Sequence, residues 1–592
     1  MSDYRFPYKD AEFLINHVLD FDQICLDAGL EEVNAELALA ILEEAGRFGS
    51  EVLGPLNVIG DKLGATLEED GVHETPGFAE AYRQFSENGW AALSGDEEFG
   101  GQAMPRVVGA GATEIWYSSC AAFSLGTLLT TGAVEAIAKH GSDELKRIYL
   151  PRVVSGEWTG TMCLTESAAG SDLAAVACKA VPQDDHYLLS GQKIYITWGD
   201  HQMTENIIHL VLARLPDAPP GVKGISLFLV PKFLLDENGH PGKRNDVYCV
   251  GLEHKLGIHG SPTCTLNFGD NGGAVAYLVG KPNKGLAAMF TMMNEARQGV
   301  GIQGLGVAER SYQQAVPFAR ERLQGTRKDG SRYPIIKFPD VRRMLMVMKS
   351  ATEAMRGLAY VAAAESDLEH NATDPEKARM HVSRVGLYTP IVKGWLTELS
   401  QEITYLGTQV HGGMGYIEET GSAQFYRDAR IMTIYEGTTG IQALDLAGRK
   451  TLGDNGEALQ ALLDEIQATA EDMSGVDALA VMAESLKMAV QAGAEARAWL
   501  LEHGATDRNA AGGASVNFMM MMGYLCGGWV MGKSSLIATR MLEAGSNDVD
   551  FLKTKQVTTQ FYFEHLLPRT ASYLTTIKAG SESMMALDVE QF

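Results

Sequence analysis

The order of apolar and polar positions divides the chain into stretches of different period. In residues 1–150, Ala35–Leu53, Phe78–Trp90 and Val107–His140 place apolar side chains three and four residues apart, which predicts helices. Near Trp158 the period shortens. Thr159–Leu164, His186–Ile196, Ile207–Leu212 and Ile225–Val230 are short β-branched or aromatic runs broken by Gly, Pro, Asp or Asn, which predicts an antiparallel β domain. From Gly285 to Leu323 the helical period returns, and it continues in Phe338–Ala364 and Pro375–Gln409. After the break Leu452–Gly456 come Ala458–Glu471, Ala478–Leu501, Ala514–Leu542 and Gln560–Leu574, with interruptions at Gly504–Gly513 and Gly545–Asp550. The expected fold is α+β and multidomain. It comprises an N-terminal all-α domain (1–156), a central antiparallel, barrel-like β domain (157–282), a four-helix bundle (283–450) and an extra C-terminal helical domain (451–592). The bundle would combine Gly285–Arg322, the two long helices and residues 421–450.

Bulk properties narrow the possible partners. A chain of 592 residues is long enough for about three or four folding units. Hydrophobic residues at 45% and charged residues at 21% are ordinary for a soluble globular protein. A net charge of −26 argues against nucleic acid, which needs a basic footprint, so any phosphate-bearing ligand requires local arginines. The seven cysteines are odd in number, scattered and without a CxxC pair, which predicts reduced thiols in a cytoplasmic compartment rather than a disulfide framework or zinc site. The N-terminal residues lack the basic and apolar regions of a signal peptide. The most apolar stretch, Ala514–Gly532, is at the short end for a membrane span and is expected as a buried helix, with membrane-surface contact as the alternative.

Five stretches are candidates for chemistry. Met162-Cys163-Leu164-Thr165-Glu166 runs into the small residues Ser167–Asp172, where backbone N–H groups can approach an anionic or polar ligand; an ordinary polar turn has the same composition. In Lys193–Thr197, Tyr195 and Thr197 are two apart and share a strand face. Gly299–Gly304 fits GxGxxG, but it follows the helical Met289–Arg297 rather than a strand, so its glycines are read as close helix packing. His254 and His259 lack a third ligand nearby and are read as turn residues, not metal ligands. Finally, Glu436 lies among Ile431, Met432, Ile434 and Tyr435 where a helical pattern breaks. A carboxylate held among apolar groups is pushed towards a raised pKa and suits a general base. The plainer reading is an acid complementing a helix that starts near Thr438.

The order Q-V-H-G-G-M-G, Y-R-D-A-R and I-Y-E-G-T over residues 409–438, with the two strand motifs upstream, resembles the acyl-CoA dehydrogenase family across roughly residues 35–450. The remainder resembles the extension of large bacterial members, which include fatty acyl-CoA and methylmercaptopropionyl-CoA dehydrogenases. The resemblance implies FAD as cofactor and Glu436 as the catalytic base. It places cofactor contacts on Met162, Leu164, Thr165, Tyr195, Thr197, Arg322, Gln324, Gln409, Gly413, Thr438 and Gly440, and substrate contacts on Ser171, Asn294, Arg297 and Gly437. Arg322, Gln324, Gln409 and Gly413 would reach the flavin dinucleotide of a neighbouring subunit, which implies a homodimer or higher homo-oligomer. Some relatives carry the base on the helix of Arg297, one residue before the arginine; here that position is Ala296. Three departures stand out: Tyr195 replaces a tryptophan, Trp198 an asparagine, and Ser167 a proline. The implied reaction is oxidation of an acyl-CoA to its trans-2-enoyl-CoA, with electrons passed to electron-transfer flavoprotein. An oxygen-using acyl-CoA oxidase and a non-catalytic flavin-fold scaffold are the alternatives.

Overall fold

The computed structural model describes residues 4–592. They form two compact units: one from the N-terminal segment ending at Gly46, Pro105–Ser118 and Val300–Phe592, the other from Arg47–Met104 and Ser119–Gly299.

The second unit is built on an eight-stranded sheet. Its strands are β1 (Thr159–Cys163), β2 (Lys179–Pro182), β3 (Tyr187–Thr197), β4 (Ile207–Arg214), β5 (Ile225–Pro231), β6 (Val247–Leu252), β7 (Thr263–Phe268) and β8 (Ala274–Val279). The order is β6-β7-β3-β8-β5-β4-β1, and β2 pairs with both β3 and β4. Strands β3, β8, β5, β4 and β2 therefore close on themselves as a barrel. One expectation fails: β1 runs parallel to β4, and β2 meets β4 in parallel at Lys179 and Arg214. The connection from β1 to β4 passes through β2 and β3, and so has the length a parallel crossover needs.

Strand β5 is buried along its whole length, and β4 along all but its last residue, Arg214. Successive side chains point to opposite faces, so each strand serves two cores. Ile208, Leu210 and Leu212 pack with Ala133, Ile137, Met289 and Met292 from helices, whereas Val211 and Ala213 join Leu189, Phe228 and Phe268 inside the barrel.

In the first unit the long helices are Pro339–Asn371, Pro375–His411 and the later part of Gly285–Glu321. The GxGxxG glycines lie inside that last, uninterrupted helix, as the packing reading expects. A Cβ on Gly301 would sit 2.5 Å from Val392, and one on Gly304 would sit 3.1 Å from the Leu396 carbonyl oxygen. The fourth bundle element is broken: Ser422–Ala429, Arg430–Thr433, Thr439–Leu444 and Asp445–Leu452 replace a single helix.

The C-terminal region holds Glu457–Ser474, Ala480–Trp499, Arg508–Glu543, Val549–His565 and Arg569–Lys578. The expected helix Gln560–Leu574 divides here, because Pro568 has no N–H to continue the ladder. The interruption Gly504–Gly513 is shorter than expected. The Asp507 carboxylate accepts the Asn509 N–H at 2.8 Å and starts the helix at Arg508, leaving Gly512 and Gly513 within it. Between helices Gly285–Glu321 and Pro339–Asn371 the chain forms a small hairpin, Leu323–Thr326 with Arg332–Pro334.

Within Ala514–Gly532 only Val516 is exposed, so this apolar stretch is spent on packing. Among the described residues one helix, Arg106–His140, is long and apolar enough to cross a membrane, and 78% of its apolar window is buried inside the protein. Gly523 shows how tightly the C-terminal helix packs: a Cβ there would lie 2.1 Å from Cγ of the buried Trp395. Gly523→Ala is expected to lower stability by about 1–3 kcal/mol through overpacking. The thermal midpoint reads this, and an unchanged midpoint would contradict the packing.

Candidate active site

The break in the fourth bundle element occurs at Glu436. The N–H groups of Ile434 and Tyr435 both donate to the Ile431 carbonyl, at 2.9 and 3.1 Å, and close the preceding turn. Glu436 then takes φ +54° and Gly437 φ +85°. Two successive left-handed residues belong to no α-helix, and for the non-glycine residue the conformation costs about 1–3 kcal/mol unless the surroundings impose it. Thr438 starts the next helix, its Oγ1 accepting the Ile441 N–H at 3.3 Å. The expected helix start near Thr438 is therefore present, but Glu436 stands outside it on a strained turn.

A side chain from helix Pro375–His411 and one from the helix that follows hold this turn. The Lys393 Nζ donates to the Gly437 carbonyl at 2.6 Å. The Gln442 Nε2 donates to the carbonyls of Glu436 and Gly437, at 3.2 and 3.4 Å. Lys393 and Gln442 are both fully buried. The Tyr435 hydroxyl donates to Oε1 of the buried Gln303. Burial pushes the Tyr435 phenol far above its ordinary pKa, and the Glu436 charge adds to the rise. Glu436, Gly437, Thr438 and Gly440 are all half-buried, and one Glu436 carboxylate oxygen, Oε1, is shielded from solvent.

Other members of the expected set in this unit lie at its surface. Arg322 and Gln324 follow the end of helix Gly285–Glu321 and are exposed. Gln409 and Gly413 are exposed at the end of helix Pro375–His411, where the Gly412 N–H donates to the Gln409 carbonyl. The Arg427-Asp428 pair is divided: Arg427 reaches Glu418 at 2.7 Å, while Asp428 is buried and accepts from Gln424 at 3.2 Å.

In the other unit the two strand motifs lie side by side. Met162, Leu164 and Thr165 are half-buried at the end of β1. The Leu164 carbonyl accepts the Lys193 Nζ at 2.8 Å, and the Thr165 carbonyl accepts the Ile194 N–H at 3.0 Å. Lys193, fully buried, also pairs with Glu166 at 2.7 Å. Burial works against the Glu166 carboxylate, but Lys193 and the N–H groups of Ala177 and Cys178 outweigh it and hold its pKa below the usual range.

Tyr195 is 59% exposed and Thr197 half-buried, on the side of β3 away from the barrel core. Tyr195 takes φ +60° where the β3–β7 register slips, so a bulge aims it. Trp198, the departure from the asparagine pattern, turns inward: its Nε1 donates to the Ala122 carbonyl at 3.1 Å and its ring stacks on Phe78. Ser171 and Asn294 are exposed, whereas Arg297 is buried. His259 is engaged by the carbonyls of Asp61, on helix Gly54–Leu63, and of Lys255.

Sequence reasoning missed Lys393, Gln442 and Gln303, and gave no role to Lys193 and Glu166. The available signal for Lys393 was its place as the one charge in the apolar run Leu387–Leu396.

Family models match the chain almost from end to end. They are the acyl-CoA dehydrogenase N-terminal domain over residues 39–157, its middle domain over 161–271, its C-terminal domain over 283–451, and an acetyl-CoA dehydrogenase C-terminal-like model over 462–588. The chain is 46% identical over 588 residues to 3-methylmercaptopropionyl-CoA dehydrogenase of Ruegeria pomeroyi, covering 98% of this chain and 99% of that one. Its fold is similar to Caenorhabditis elegans ACDH-11 in complex with C11-CoA, with a TM-score of 0.78 and 20% identity over 96% of this chain and 93% of that one. It is also similar to the Bacillus anthracis acyl-CoA dehydrogenase complexed with FAD, with a TM-score of 0.74 and 22% identity over 94% and 89%. With these matches and the motif geometry together, the chain belongs to the acyl-CoA dehydrogenase family of oxidoreductases.

Proposed function

We propose that this protein binds FAD and oxidises an acyl-CoA thioester to the trans-2-enoyl-CoA, with Glu436 as the base. The observation that carries this reading is the Glu436 turn, a carboxylate on a left-handed residue whose neighbouring carbonyls are held by two fully buried side chains. The α C–H of a thioester is a weak acid. Removing its proton takes a carboxylate held in place rather than one that wanders, and a half-buried setting limits competition from water. The Glu436 N–H is assigned to the thioester oxygen, where it would favour the developing negative charge.

The residues present suit a flavin. Tyr195 offers an exposed aromatic ring on a bulge, Thr165 and Thr197 offer half-buried hydroxyls, and Lys193 fixes the backbone at Leu164. Arg322 offers a phosphate-binding fork, with Gln324 beside it; Gln409 and Gly413 are proposed for the adenine end. When bound, FAD supplies the acceptor for the β-hydride. Because the last four of these residues are exposed, they support contacts to a second subunit and hence a homodimer or larger homo-oligomer. Seven free thiols support a cytoplasmic setting. Electron-transfer flavoprotein is the proposed acceptor. Turnover that needs that protein under air, without peroxide formation, supports this; oxygen-driven turnover would make the protein an oxidase.

The name of the 46% identical relative puts 3-methylmercaptopropionyl-CoA first among substrates, ahead of straight-chain acyl-CoAs. An anaerobic panel read by flavin bleaching tests the order. Lys193→Met is expected to raise the Kd for FAD about tenfold, because it leaves the Leu164 carbonyl without its lysine donor and the Glu166 carboxylate without its cation. Fluorescence titration of apoprotein reads the change, and an unchanged Kd would sever the link between this ion pair and the cofactor.

A further inference from the structure

Lys393 sits on helix Pro375–His411 within Leu387–Leu396, where every residue is buried. An ammonium there has lost its water, which is costly unless the charge is well hydrogen-bonded. Such a charge is kept where it holds something in place. Its Nζ reaches 2.6 Å from the carbonyl of Gly437, the residue after the proposed base. Gln442, equally buried, donates to the same carbonyl and to that of Glu436. Both peptide oxygens of the left-handed pair are thus fixed from outside the turn, one of them by a full positive charge.

We infer that Lys393 is a positioning residue for the reaction: it fixes the Gly437 peptide, with Gln442 as its neutral partner, and so sets where the Glu436 carboxylate stands. The inference rests on Glu436 being the base. Two consequences follow. Without Lys393 the pair at φ +54° and +85° can relax, and the carboxylate leaves its attack position while the substrate-binding surface persists. The loss should therefore fall on the rate of proton abstraction and not on KM. The ammonium also binds the peptide carbonyl of the residue after Glu436, and an opposite charge nearby favours the ionised form, so its removal should move the base's apparent pKa upwards. Two further ionisable groups touch this turn, Tyr435, held by Gln303 from helix Gly285–Glu321, and Glu398, which accepts from Thr439; neither contact runs through Lys393.

The test uses Lys393→Met, which keeps length and removes charge and donor, and Lys393→Gln, a neutral donor that a polar site tolerates better. Each is purified with flavin and mixed anaerobically with acyl-CoA across a pH series. The expected result is a fall of about thirtyfold or more in the limiting rate of flavin reduction, KM within threefold of the parent, and an upward shift of the apparent pKa, with the Gln variant the less impaired. A folded, flavin-loaded variant of either kind that keeps the parent's rate and pH profile overturns the inference. So does failure of both variants to fold with flavin, which would make the lysine a stabilising residue only. If Glu436→Gln itself reduces flavin normally, the reading of the base fails, whatever the lysine variants do.

Discussion

Glu436→Gln should yield a folded, yellow protein whose flavin is bleached by acyl-CoA on the order of 10³-fold more slowly than the parent's. Glutamine matches glutamate in size and is no more strained at φ +54°, so the turn should persist. The donors that hold it act on main-chain oxygens, which the substitution does not touch. Only the proton acceptor disappears. Binding of acyl-CoA, followed by displacement of the visible flavin band in the dark, should survive within a few fold, because the loss lies in the transition state rather than in ground-state binding. Reduction within tenfold of the parent would remove Glu436 from the role. The remaining carboxylate near the alternative family position, Glu295, would then be the next to replace.

How legible the site was depended on the sequence distance between partners. Glu436 could be singled out because its anomaly is local: a carboxylate among apolar residues at a broken helical period, followed by a threonine cap. Strands β3, β4 and β5 were legible from short β-branched runs, and the long helices from their three- and four-residue spacing. Pairing was not. Nothing between Thr159 and Arg214 announces that β1 runs parallel to β4, since direction is settled by where the intervening chain returns. Lys393 was missed for a similar reason. Its partner lies far along the chain, and a lone lysine in an apolar run becomes informative only when its acceptor is seen. The division at Leu566–Pro568 is different: Pro568 stands inside the expected Gln560–Leu574 helix, and the apolar period runs on through it although the proline cannot continue the ladder. Trp198 shows a substitution whose meaning needed three dimensions, since its ring is taken up by Phe78 and the Ala122 carbonyl.

The largest stability effect is expected at Arg356. Its guanidinium, fully buried, pairs with Glu114 and Glu309 at 2.7 Å each, and Tyr360 donates to the other Glu114 oxygen at 3.3 Å. Burial raises the Glu114 pKa, and the Arg356 charge is the main force opposing it. Arg356→Met leaves two buried carboxyls without their cation and should cost about 3–5 kcal/mol near neutral pH. The sign of the pH dependence follows. In the variant the Glu114 carboxyl, which burial already pushes up, loses the charge that opposed the rise and moves further above the unfolded value of about 4.3, so the native state holds more protons than the unfolded one. Stability is then retained below the unfolded pKa and falls as pH rises through the window up to the new native pKa, above which the deficit is constant. Denaturation midpoints compared with the parent should converge towards pH 4 and separate towards pH 8. The triple variant Glu114→Gln, Glu309→Gln, Arg356→Met removes every charge together and should recover most of the loss, because breaking a buried ion cluster costs more than replacing it. A deficit of equal size at both pH values, or a triple variant no better than Arg356→Met, would show that the arginine acts by filling space rather than by neutralising the two acids.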